Sequence, residues 1–101
     1  MPKITTIYWR DIPAQVIAQQ GRTRLKRELP RRFAQSIDRA AMRAGRGSSD
    51  AYLEDWRRES LTAEGELETL LTETVAALGS QFPPDTLEKA IKAGGLVKVE
   101  D

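Results

Sequence analysis

Histidine and cysteine are both missing from this chain of 101 residues. Without histidine there is no side chain that ordinarily titrates near neutral pH, and the commonest general base is gone. Without cysteine there is no thiol nucleophile and no disulfide. The two absences together remove the usual zinc ligands. Carboxylate, lysine, tyrosine or serine chemistry is what remains, and any bound metal would be a hard ion held by oxygen. No metal and no cofactor is expected, and the composition weighs against a complete enzyme. No apolar run approaches the roughly 18–20 residues that cross a bilayer. The opening stretch from Met1 to Arg10 also lacks the apolar segment followed by small residues that marks a secretory signal. A cytoplasmic protein with no membrane partner is the expectation.

What is present suits one folded domain over residues 1–101, with 40% apolar and 31% charged residues and no internal repeat. The charge is unevenly spread. Residues 1–58 carry thirteen Lys or Arg against six Asp or Glu, and residues 59–101 carry three against nine, so the formal total of +1 hides a polarised chain. Such asymmetry between halves points to an interaction surface and not to a reaction.

Ile4 to Trp9 is β-branched and aromatic with bulk on both faces, which predicts a strand inside a sheet. Asp11, Ile12 and Pro13 predict a turn after it. Ala14 to Gln20 carries signals of both kinds: alanine and glutamine favour helix, whereas Val16, Ile17 and the Gly21 stop favour a strand paired back on the first. Strand is the preferred reading. Thr23 to Leu29 reads as a third strand before Pro30, although its Leu25/Leu29 spacing also suits a helical turn. From Arg31 the period changes. Phe33, Ile37, Ala40, Ala41 and Ala44 form the apolar stripe of a helix that Gly45 ends. Gly45 to Asp50 reads as a connector. Its glycines and serines suggest a phosphate loop, but the spacing of that motif is absent and the segment follows a helix instead of preceding one. Tyr52 to Arg58 fits a strand or a short helix, with strand preferred. A second helix is predicted over Ala63 to Leu78, closed by Gly79. A third opens at Pro83-Pro84 and stops at Gly94-Gly95, and Leu96 to Val99 is an edge strand or a fraying tail. The fold class is therefore α+β: a small antiparallel sheet of three to four strands with two main helices packed on one face.

The stretch Ile7-Tyr8-Trp9-Arg10-Asp11-Ile12-Pro13-Ala14-Gln15-Val16, with Gly21-Arg22, resembles a small bacterial family known as virulence-factor domains. Leu29-Pro30-Arg31-Arg32-Phe33, Ile37-Asp38, Ala40-Ala41-Met42, Tyr52-Leu53 and Trp56 are similar to later segments of the same family. The resemblance covers residues 4–60 best. It implies an accessory role near bacterial one-carbon or corrinoid-dependent methyl metabolism, and it transfers no catalytic residue.

Two constellations stand out for function. Arg22, Arg24, Lys26, Arg27, Arg31 and Arg32 place six cations within eleven residues, opposed by Glu28 alone. Arginine grips phosphate and carboxylate bidentately, so the cluster suits an acidic protein partner, a phosphate-bearing ligand or nucleic acid. Pairing with the chain's own acidic helices is the plainer use. Against nucleic acid, no aromatic is interleaved with these arginines. Tyr8, Trp9, Arg10 and Asp11, with Trp56, form the second: either a ligand pocket for a small enzyme or cofactor-binding subunit, or aromatic core with a charged turn. Asp38, Asp50, Glu54 and Asp55 lack the spacing of a calcium loop. A leucine stripe on the second helix is core, or in part a homodimer surface. The expected function is a non-catalytic accessory or protein-interaction module with an arginine-rich, anion-binding face.

Overall fold

The computed structural model describes residues 1–45 and 49–96, with the backbone alone over 49–51. Three strands come first: β1 (Lys3–Trp9), β2 (Ile12–Gln20) and β3 (Thr23–Glu28). Helices α1 (Arg31–Arg43) and α2 (Ser49–Glu54) lead to β4 (Trp56–Thr62), and α3 (Leu67–Gln81) and α4 (Pro84–Lys92) complete the order. All pairings are antiparallel, and the sheet runs β3-β2-β1-β4. The first three strands form a meander through tight turns at Arg10-Asp11 and Gly21-Arg22. The fourth returns from beyond α2 to the free side of β1, which puts β1 inside the sheet as its bulk on both faces predicts.

The core lies on one side of the sheet. Ile4, Val16 and Ala18 join Phe33, Ile37, Ala40 and Ala41 of α1, Leu67, Leu71 and Leu78 of α3, and Leu87, Ala90 and Ile91 of α4 in one buried cluster. Each helix supplies residues at three- and four-residue steps, the spacing that brings one helical face against a neighbour. Trp9 and Ile12, paired at the hairpin end, belong to the same cluster and are fully buried. Thr5, Ile7 and Ile17 are also buried but stand apart from it.

Ala14–Gln20 is strand, within β2. Pro13 is also part of that strand and not of a turn; the turn is the Arg10-Asp11 pair before it. The register slips by one residue at Ala14, a β-bulge, which is where a sheet tolerates a proline that cannot donate to the ladder. Tyr52–Arg58 corrects the strand reading in its first half. Tyr52, Leu53 and Glu54 end the short α2, and strand begins only at Trp56. Across that junction the Tyr52 and Trp56 rings meet edge to face at 5.6 Å. The connector reading of Gly45–Asp50 gives way at its end, because α2 starts at Ser49; residues 46–48 lie outside the described residues. Glu64 and Glu66 precede α3, with Glu66 at its N-cap. Gly79 does not close that helix, which continues to Gln81 and ends at Phe82, just before Pro83-Pro84. Prolines stop a helix more firmly than one glycine does. The tail reading of Leu96–Val99 falls largely outside the described residues.

Candidate anion-binding face of the sheet

Side chains alternate along a strand, so the register sorts the sheet residues into two sides. On the side with Ile4, Val16 and Ala18, β3 contributes Leu25 and Arg27. On the other, the pairings align Arg24, Gln19, Lys3 and Thr62 in one row across the four strands. Lys26, Ile17, Thr5 and Ser60 make the next, and Glu28, Gln15, Ile7 and Arg58 the third. The buried floor of this side is Ile17, Thr5 and Ile7. Thr5 Oγ1 and Ser60 Oγ are hydrogen-bonded at 2.9 Å. Around the floor stand long, exposed polar side chains, a type that can lay its aliphatic stem over apolar surface while the charged end stays in water. Four are cations, Lys3, Arg24, Lys26 and Arg58, and one is an anion, Glu28.

The six cations of the Arg22–Arg32 cluster therefore do not share a face. Arg27 is on the helix side, where it donates to Thr72 Oγ1 at 2.8 Å and pairs with Glu68, both on α3. Arg32 lies against the Phe33 ring, its Cζ 4.9 Å from the centroid. It donates to the carbonyls of Gly79 and Phe82 at 3.1 and 3.5 Å, where the C-terminal dipole of α3 welcomes a cation. Arg24 and Lys26 stand on the opposite side of the sheet, Arg22 in the adjoining turn and Arg31 exposed at the start of α1. Among the described residues, no hydrogen bond or ion pair engages the side chains of Lys3, Arg22, Arg24, Lys26, Arg31 or Arg58. Lys3 and Arg58 were not legible as members of this group. They sit far from the arginine run in sequence; the β1–β2 pairing brings Lys3 into its row, and the β1–β4 pairing adds Arg58.

The second constellation is divided as well. Trp9 is fully buried, donates from Nε1 to the Tyr52 carbonyl at 3.0 Å and stacks on the Tyr52 ring at 5.9 Å. Arg10 has φ of +53°, which sets the hairpin turn. Its guanidinium pairs with Asp55 at 3.3 Å and donates to the Gly94 carbonyl at 2.8 Å. Asp11 pairs with Arg57 at 3.2 Å, and the Arg57 Cζ lies 4.4 Å from the Tyr8 centroid. These contacts tie the hairpin turn to β4 and to the end of α4. Trp56 is half-buried and borders a depression of about 320 Å³ lined also by Ile7, Gln15, Arg57 and Arg58. Tyr8, Trp9, Arg10 and Asp11 do not line it. A larger groove of about 510 Å³ runs between α1 and α4 over Pro84, Leu87 and Ile91, and Arg39 and Glu88 pair across it at 3.2 Å.

Burial, and then the nearby Asp38 carboxylate, raise the pKa of the Tyr52 phenol. Among the described residues, no group of three carboxylates is placed to hold a metal ion, and no helix is long and apolar enough to cross a membrane.

Fold and site together define a small α+β domain whose sheet carries helices on one side and a cation-rimmed polar surface on the other. The chain belongs to the virulence-factor family, whose model, described as "Virulence factor", matches residues 7–91. No curated protein and no solved structure matches it.

Proposed function

We propose that this chain is a non-catalytic accessory or protein-interaction module that engages an acidic partner or phosphate-bearing ligand through the helix-free side of its sheet. One observation carries the reading. Of the clustered cations, Arg27 and Arg32 on the helix side have partners within the fold, whereas Arg24 and Lys26 on the other side, with Lys3 and Arg58, face one anion, Glu28. Unpaired charge of one sign on a rigid sheet favours encounter with the opposite sign and sets orientation. Arg22 and Arg31 extend the same field around the β3 edge. The family resemblance extends the reading toward one-carbon or corrinoid-dependent methyl metabolism, and among the described residues no side chain adds to that link.

Binding to immobilised poly-L-glutamate and to heparin tests it, with circular dichroism as the check on folding. The double variant Arg24→Glu/Lys26→Glu should lose retention on both, and Arg27→Ala should keep it. Equal binding by wild type and the double variant would refute the reading.

A further inference from the structure

We infer that the helix-free side of the sheet binds single-stranded RNA, with Trp56 stacking on a base and Lys3, Arg24, Lys26 and Arg58 holding the phosphates. This rests on the proposed anion-binding role and names its partner. The arginine run alone lacked an aromatic, and the fold supplies one from elsewhere. Trp56 packs against the hydrophobic core at the hairpin end, and together with Arg58 it borders the depression that Ile7 and Gln15 also line. An indole beside a guanidinium at a shallow recess is the pairing that single-strand binders use: the ring takes the π-face of a base and the cation takes the adjoining phosphate. Edge-to-face contact with Tyr52 at 5.6 Å holds the Trp56 ring in place, so little side-chain freedom is left to lose on binding.

An acidic polypeptide would use the cations equally well but has no use for the recess. Its carboxylates pair with Lys and Arg, and nothing in them stacks. A base in the recess can also receive a hydrogen bond from the Gln15 amide. Gln19, Thr62 and Ser60, uncharged and able both to donate and to accept, lie along the same rows and suit the 2′-hydroxyl of ribose. The cations bracket the full width of the sheet, three strand spacings or about 14 Å. That is room for a few nucleotides of an extended strand. Among the described residues no helix or long loop rises from this side to enter a duplex groove, so a single strand is the form it accommodates.

The test uses the full chain, a labelled oligouridylate and the intrinsic fluorescence of the protein. Trp9 is fully buried, so quenching on titration reports Trp56. Binding should weaken with salt at a log–log slope of about −3 if four phosphates are neutralised, and emission should fall. Trp56→Leu should bind roughly five- to hundredfold more weakly, whereas Trp56→Phe, which keeps a stacking ring, should bind close to wild type. Arg24→Glu/Lys26→Glu should lose binding. Retention of poly-L-glutamate without binding of oligouridylate overturns the inference and leaves the anion-binding role standing; failure of both removes the two together. Binding that leaves emission unchanged, or equal competition by duplex RNA, also overturns it.

Discussion

At the scale of single residues, the tightest place in the molecule is where Gly95 meets Trp9. The Asp11 amide donates to the Gly95 carbonyl at 2.9 Å, and Gly95 itself donates to Ala90 at 2.7 Å, so the turn after α4 lies against the hairpin end. Gly95 has φ of +95°, and a Cβ there would fall 2.5 Å from Trp9 Cζ3. Gly21 also has positive φ, +60°, but nothing stands within 4 Å of a Cβ built on it. Gly21→Ala should therefore cost only the backbone term, about 1–2 kcal/mol. Gly95→Ala should add about 1–3 kcal/mol from overpacking against a ring that cannot move. Urea unfolding of the two variants measures the difference, and equal losses would mean that the Trp9 contact yields freely. Tyr52, stacked on the same indole, makes a pH-dependent prediction. Its pKa is raised by burial and by Asp38, so the folded state keeps the phenolic proton where the unfolded chain has lost it. The stability it contributes is complete below the ordinary tyrosine value of about 10 and is lost as pH rises through the higher folded value. Tyr52→Phe should accordingly flatten the fall in melting temperature above about pH 10, while leaving its slope near neutrality as it was.

At the scale of elements, β3 shows how period two converts one run of cations into two functions. Arg24 and Lys26 fall on one side; Leu25 and Arg27 fall on the other and meet the core and α3. Arg27 and Glu68 are both partly exposed to water, so Arg27→Ala should lower stability by no more than about 1 kcal/mol. Thermal unfolding should detect a small decrease, and poly-L-glutamate retention should not change. A large loss of retention would place Arg27 in the anion site after all. The same alternation explains what the sequence could disclose. The stripe of Phe33, Ile37, Ala40 and Ala41 predicted α1, and Pro84 with Gly94-Gly95 bounded α4 as expected, because local spacing and caps decide those elements. Ala14–Gln20 was balanced between helix and strand by propensity; pairing with both β1 and β3 settled it. Tyr52–Arg58 changes from helix to strand partway. Its helical half is held by Tyr52 stacking on Trp9, a contact spanning 43 residues that no local pattern contains. The candidate site was half legible for the same reason. Arg24 and Lys26 stood out as charge, but Lys3 joins them only through the register of β1 with β2, and Arg58 and Trp56 only through that of β1 with β4.

At the scale of the whole molecule, the split between a basic first half and an acidic second half is partly resolved by folding. Arg27 meets Glu68, Arg39 meets Glu88 and Arg32 meets the carbonyl end of α3. These contacts engage Arg27, Arg39 and Arg32 on the helix side, whereas Lys3, Arg24, Lys26 and Arg58 on the other side of the sheet have no such partner among the described residues. The molecule is then dipolar, and its behaviour on a charged surface should follow where its charge lies and not the sum. On a cation-exchange resin at pH 7 and low salt, the wild type should be retained in spite of its formal charge of +1. Arg24→Glu/Lys26→Glu lowers that charge by four and should bring the protein into the flow-through. Lys89→Glu/Lys92→Glu on α4 lowers it by the same four, at exposed positions away from the sheet, and should still be retained. With no histidine to titrate, wild-type retention should hold level between about pH 6 and 7. If both double variants elute together, net charge alone governs the interaction and the sheet holds no privileged anion-binding side.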